Sequence, residues 1–390
     1  MKYILFDDQL FRNQLKPFTL TRPTAEIRVG INTIHEKWAA YTNTDFTFLT
    51  EEYLQQKYTQ NTAGGIYLNG SVCPNDDLWN AVSGLSENEK LETEDGVILA
   101  IKTNELLSFP IDYQQFNTKK YVGDVTIIKQ LPDIFLHNGE QIKSDFEKIT
   151  NGRVSQPITD SFTKVYAPEN VFVEEGASIK ACILNAENGP IYIGKNAIVQ
   201  EGAIVIGPVC VGESSMVAWG SKIRPNTTLG HHSRVGGEVG NVVFFGYSNK
   251  AHDGFLGNTV VGEWCNFGAN CNNSNLKNDY TEVKLYNYAT DQLEGCGEIF
   301  CGLFMGDYTK AGISTMFNTG TVVGVNVNVF GAGFQEKHIP SFSWGGKAEG
   351  FSPYRFDKAI AVIDATMQRR NKSLSDAEKS ILKHIFDETF

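Results

Sequence analysis

Aliphatic residues recur every six positions through the middle of the chain: Ile193, Val199, Val205, Val211, Val217, Ile223, Leu229 and Val235, with Gly194, Gly212, Gly230 and Gly236 directly after four of them. A second run in the same period, Met305, Ala311, Phe317, Val323 and Val329, carries Gly306, Gly312 and Gly324 in the following position. An amphipathic helix repeats its apolar stripe every 3.6 residues and a half-buried strand every two, so a strict period of six demands a turn between repeats. Very short strands joined by corners meet that demand, with one aliphatic side chain inward per repeat and glycine beside it where a positive φ is easiest. The pattern predicts a β-solenoid, whose coils bury their apolar residues only by stacking on one another.

The flanks follow other rules. Residues 1–155 mix strand-like runs, Lys2 to Phe6 and Gly96 to Ile101, with a helix-like stretch from Asp77 to Leu85, which predicts an α/β domain. Residues 156–350 read as solenoid, interrupted by polar insertions near Asn272 to Tyr280 and Tyr286 to Glu294. Residues 351–390 read as a helical tail, apolar at Ala359, Val362 and Ile363 and again at Ile381, Leu382, Ile385 and Phe386. Ser375 and Glu378 are spaced as a capping box for its second helix. Such a tail is expected to pack and to carry no chemistry.

A net charge of −11 argues against nucleic acid or an anionic membrane as partner, since either favours a basic face. The amino terminus lacks a basic region followed by an apolar core and a small-residue cleavage site. No stretch approaches the roughly 18 uninterrupted apolar residues of a membrane span, and the expectation is a cytoplasmic protein. Seven cysteines, at 73, 182, 210, 265, 271, 296 and 301, form no CxxC pair, so buried free thiols are expected and no metal site. His231 and His232, adjacent on a strand, face opposite sides and are expected at a surface or corner.

The best chemical signal is Asn249 to Asp279. Lys250 and His252, Gly257, Asn266 to Ala269, Asn275 with Leu276, and Asp279 follow the order of a motif in another group of proteins, and upstream Ile223-Arg224-Pro225 matches its Leu-Arg-Pro. This stretch resembles the acetyltransferase half of the bifunctional N-acetylglucosamine-1-phosphate uridylyltransferase and glucosamine-1-phosphate acetyltransferase family. The resemblance covers most of residues 190–335. It implies a left-handed parallel β-helix, acetyl-CoA as acyl donor, an amino-sugar phosphate or nucleotide-linked amino sugar as acceptor, and a homotrimer with the donor between subunits. It assigns phosphate to Arg224 and Lys250, substrate or donor orientation to Asn275, and a loosely aligned place near the same pocket to Lys284. An amine must lose its proton to attack a thioester, and histidine, with an unperturbed pKa of about 6.5, suits that task. His252 is the expected base. One residue is missing between Lys250 and His252, Phe255 stands where the family has a sugar-holding Tyr, and a further phosphate-side Lys falls in the apolar stretch Val242 to Phe245.

The amino-terminal part resembles sugar nucleotidyltransferases at Leu15 to Pro23, LKPFTLTRP, and at Ile66 to Val72. The resemblance implies a nucleotidyltransferase-like, Rossmann-like α/β fold, and the whole arrangement resembles a divergent, Bacteroidetes-type branch of the bifunctional family. The family's glycine-rich phosphate loop falls on Gln9 to Gln14, QLFRNQ, which has no glycine; side chains there obstruct the close approach of backbone N–H groups to phosphate. Thr24 replaces a Lys. Ser71 replaces the Asp offered to Mg²⁺, and a hydroxyl is a poor ligand for a hard cation. Arg12, Arg22 and Arg28 are candidate replacement charges, Lys16 and Ser71 belong with them to the nucleotidyltransferase-like site, and Asp7, Asp8, Asp76 or Asp77 are candidate replacement ligands, with Mg²⁺ expected only if nucleotidyl transfer is kept. The leading expectation is an acetyltransferase with a degenerate or altered transferase domain. Its alternatives are a bifunctional enzyme that also joins a sugar-1-phosphate to UTP or dTTP, and a non-catalytic sugar-nucleotide-binding scaffold.

Overall fold

A computed structural model of the chain describes residues 2–42, 44–59 and 62–390. The contacts divide it into two compact units: Met1–Ile27, Asn32–Asp133 and Asp376–Ile381 in the first, and Arg28–Ile31, Ile134–Ser375 and Leu382–Phe390 in the second.

In the first unit, strands β1 (Tyr3–Phe6), β2 (Phe46–Leu49), β3 (Gly65–Asn69), β5 (Glu89–Thr93), β6 (Ile98–Thr103) and β7 (Asn117–Tyr121) form a six-stranded sheet, while β4 (Val72–Cys73) lies outside it. The order is β2-β1-β3-β6-β5-β7, parallel from β2 through β3 and antiparallel where β6 joins β3 and β5. The helices include α1 (Gln9–Gln14), α2 (Ile34–Thr42) and α3 (Asp76–Ser83). Ile4, Phe6, Leu49, Tyr67, Ile98 and Ile101 form the apolar layer on one face of the sheet. The alternating sheet and helix segments of this unit are the mixed α/β domain that the patterning implies.

The second unit is a parallel β-solenoid. On one face Ile191–Ile193, Val209–Val211 and Thr227–Leu229 pair in register, which stacks Ile193, Val211 and Leu229. On the next, Val199, Val217 and Val235 stack, and on the third Val205 stacks on Ile223. Every residue of both six-residue runs lies in one buried core. The glycines beside them act differently from expectation. A Cβ on Gly212 would lie 2.5 Å from the carbonyl oxygen of Leu229 one coil on, and one on Gly194 would lie 2.7 Å from the nitrogen of Glu213. They are small because stacked coils touch there, whereas the left-handed corner conformations are taken by Asn196, Ser214, Asn226 and His232.

Between the two runs the coil length changes. Leu229 pairs with Phe244 and Val235 with Lys250, a coil three residues shorter than the one before, in which Val211 pairs with Leu229 and Val217 with Val235. The shortening arises because Glu238–Gly246 runs through a corner as one nine-residue strand, pairing with Ile223 near its start and Leu229 near its end. The inward frame then meets two polar residues, Lys250 below Val235 and Asn273 in register with Phe317.

After the short segment Arg28–Ile31, the chain returns to this unit at Ile134, where helix α5 (Asn138–Thr150), preceded by the short α4 (Asp133–Leu136), packs on the solenoid. Its Asn138 donates through Nδ2 to the carbonyl of Asn226 at 2.9 Å and accepts from the N–H of Gly30 at 2.7 Å. Near the other end come α6 (Phe356–Gln368) and α7 (Asp376–Thr389). Helix α6 buries Ala359, Ile363 and Met367, four residues apart, while Val362 is exposed. All seven cysteines are buried free thiols. Among the described residues no helix is long and apolar enough to cross a membrane.

Candidate functional site

The shortened coil sets up the site. Lys250 points into the solenoid and is 1% exposed, and a buried ammonium must find acceptors. Its Nζ donates to the carbonyls of His252 and, at 2.9 Å, of Asp253. Burial pushes this ammonium down to about 8. The lysine therefore ties down the turn from inside, and the same turn leaves the side chains of His252 and Asp253 exposed. Asn273, one coil on, is satisfied similarly: Nδ2 donates to Gly257 O at 3.0 Å and Oδ1 accepts from Gly257 N at 2.9 Å.

His252 lines a cleft of about 510 Å³ with Asn249, Asn266, Gly268, Ala269 and Ile313 on the solenoid side and Thr366, Arg369 and Arg370 from α6 and the turn after it. Arg234, Tyr247 and Trp264 complete the wall. The Tyr247 and Trp264 rings stack with centroids 4.1 Å apart, and His232 stacks on Tyr247 at 5.0 Å. His231 meets Tyr247 edge-on at 4.7 Å. The histidine pair thus serves a corner ladder, His232 sitting at φ +56°, where burial and then the charge of Arg370 hold its pKa below the ordinary value. Burial, followed by the charges of Arg234 and Arg369, lowers the pKa of Arg370.

Of the solenoid residues chosen from the sequence, His252 lines this cleft, and Arg224, Lys250, Phe255, Asn275 and Lys284 do not. Arg224 pairs with Glu238 at 3.3 Å, and Glu238 is in register with Phe255. Asn275 donates through Nδ2 to Asn258 Oδ1 at 2.8 Å; a Cβ on Gly257 would meet both that Nδ2 and the Phe255 ring at 2.7 Å. Arg224, Phe255 and Asn275 therefore form a second group around the third face. Lys284 is exposed at the start of a hairpin, Lys284–Asn287 with Gln292–Gly295.

In the first unit the segment expected at the phosphate loop, QLFRNQ, is helix α1, capped by Asp8, whose Oδ1 accepts from the N–H groups of Leu10 and Phe11 at 3.0 and 3.2 Å. Those amides are spent on the cap. Arg12 is 2% exposed and paired with Asp7 at 2.8 Å, and it donates further to the carbonyls of Thr19 and Arg22 and to the Tyr53 hydroxyl. Asp7 also accepts from the N–H of Thr24 and the hydroxyl of Thr50. Arg22 is buried, Lys16 half-buried, and Arg28 belongs to the second unit, where its Nε donates to the carbonyl of Phe245 at 3.2 Å. The Ser71 hydroxyl is buried, without a hydrogen-bond partner among the described residues. Among the described residues no three His, Cys, Asp or Glu side chains gather to hold a metal ion.

Sequence reasoning did not single out Arg234, Arg369 and Arg370, which line the cleft. Arg234 occupies the outward place beside Val235 in the repeat, and a pair of arginines at the end of an amphipathic helix looks like any solvated helix end. A faint signal was their local basicity in an acidic chain.

Residues 3–154 match the family model described as sugar nucleotidyl transferase. The bifunctional protein GlmU of Methanocaldococcus jannaschii is 35% identical over 106 residues, 27% of this chain and 25% of that protein. The bifunctional sugar-1-phosphate nucleotidylyltransferase/acetyltransferase of Sulfurisphaera tokodaii is 29% identical over 160 residues, 40% of this chain and 37% of that protein. The match thus spans about a quarter of the first and somewhat more than a third of the second of these curated relatives. Among solved structures, the UDP-N-acetylglucosamine acyltransferase from Campylobacter jejuni aligns with a TM-score of 0.28 and 13% identity, over 56% of this chain and 95% of that one.

Proposed function

We propose that the protein is an acetyl-CoA-dependent transferase that acetylates the amine of an amino-sugar phosphate or nucleotide-linked amino sugar. The observation that carries this reading is the place of His252, exposed on a turn pinned by Lys250 and facing a cleft large enough for a small-molecule ligand. In the reaction the amine nitrogen attacks the thioester carbonyl carbon, the C–N bond forms, the C–S bond breaks, and coenzyme A leaves as its thiol. His252 takes the proton that the attacking amine loses. Lys250 acts through the turn, holding His252 in place, while Arg224, Phe255, Asn275 and Lys284 remain candidates for acceptor contacts. A trimer of solenoids, with the donor between neighbouring copies, is part of the proposal.

Nucleotidyl transfer is the second reading, favoured by the match over residues 3–154. The residues present do not fit Mg²⁺ at the expected place: Ser71 offers a buried hydroxyl, Asp7 is held by Arg12, Thr24 and Thr50, and Asp8 caps α1. We therefore propose a degenerate transferase domain. Thiol release from acetyl-CoA, measured against a panel of amino-sugar phosphates and nucleotide-linked amino sugars, tests the acetyltransferase reading and identifies the acceptor. Absence of turnover with every acceptor, together with pyrophosphate release from UTP or dTTP and a sugar phosphate, would replace it with the second reading.

A further inference from the structure

Three guanidinium groups converge on the His252 cleft from separate stretches of chain. Arg234 stands on the solenoid face, and Arg369 and Arg370 follow α6. They lie close enough for Arg234 and Arg369 to disfavour the charge on Arg370. Among the described residues none of the three has a carboxylate within 4.0 Å or a side-chain hydrogen bond. Like charges gathered without a counter-charge repel, and in a chain of net charge −11 such a cluster is not explained by a surplus of basic residues. A phosphate satisfies the guanidiniums, because the planar fork of arginine matches phosphate oxygens with paired hydrogen bonds.

We propose that the cleft is a binding site for an organic pyrophosphate, with Arg234, Arg369 and Arg370 sharing its two phosphoryl groups. The carboxy-terminal helical segment is then part of a ligand site. This deepens the acyl-transfer reading, on which it rests only for deciding whether acceptor or acyl donor carries the pyrophosphate. Binding is measured without turnover, so failure of acetyl transfer leaves the proposal standing or falling on its own.

Calorimetric titration of the full chain with UDP, dTDP, coenzyme A, glucosamine 1-phosphate and inorganic phosphate, repeated on Arg234→Gln, Arg369→Gln and Arg370→Gln, tests it. At least one pyrophosphate ligand is expected to bind about tenfold or more tightly than the monoester and phosphate, and to lose about tenfold or more in each variant. Tight binding of UDP or dTDP alone assigns the site to the acceptor; tight binding of coenzyme A alone assigns it to the donor. On the unaltered chain, raising ionic strength from about 0.05 to about 0.5 M weakens the same binding, which covers a variant that fails to fold. Affinities unchanged in all three variants, or monoester and phosphate binding as tightly as the pyrophosphates, would overturn the proposal.

Discussion

At the scale of single residues, the chemistry of the site depends on side chains whose direction reversed what their type suggested. Lys250 is a cation near a proposed sugar phosphate, but a coil three residues short turns it inward, where its hydrogen bonds hold the carbonyls of the His252 turn. Its pKa of about 8, against an ordinary 10.5, means that between those values the unfolded chain keeps a proton the folded lysine gives up. Stability should therefore rise with pH through that window, by about 3 kcal/mol across the full shift. Urea midpoints at pH 7, 9 and 10.5 check this: the unaltered chain gains relative to Lys250→Met as pH rises, and a constant difference between the two would contradict it. Arg12 shows the same reversal in the first unit, since its partner Asp7 lies five residues upstream and both side chains are buried. Asp7→Asn leaves a buried guanidinium without its counter-charge and is expected to cost about 3–5 kcal/mol in a denaturant titration.

At the scale of elements, the six-residue period was legible because each inward aliphatic residue is read against a coil of constant length, and both runs entered the core as a period of six requires. What the period hid is what changes it. The nine-residue strand Glu238–Gly246 shortens one coil, and the insertion after Asn273 lengthens another, so the residues around the site fall outside the regular frame. Glycine positions were visible but their reason was not: close contact of coils, which no local sequence signal reports. Gly212→Ala would place a methyl group 2.5 Å from the Leu229 carbonyl and should destabilise the chain, whereas Gly220→Ala has open space and only the strain of φ +66°. Thermal melts should rank Gly212→Ala below Gly220→Ala. Leu229→Ala, in the centre of the stack, is expected to cost about 2–5 kcal/mol. The tail was legible as two helices, but its arginines take on meaning only once α6 lies along the cleft, a contact between segments far apart in the sequence.

At the scale of the whole molecule, an acidic chain gathers three arginines at a concave site that also holds the histidine the sequence motif singled out. Residues 3–154 match a sugar nucleotidyl transferase model, yet the segment expected at the phosphate loop is a capped helix and Arg12 is held in an ion pair. Pyrophosphate release from UTP or dTTP with a sugar phosphate and Mg²⁺ is accordingly expected to stay at background. Sedimentation equilibrium is expected to return three copies per particle, both for the native chain and for His252→Ala. The most direct test of the central claim is the turnover number of His252→Ala for thiol release at saturating acetyl-CoA and acceptor. A fall of about 10²–10⁴, with the far-ultraviolet spectrum and oligomeric state unchanged, is the predicted result; turnover retained at the native rate would remove His252 from the base role.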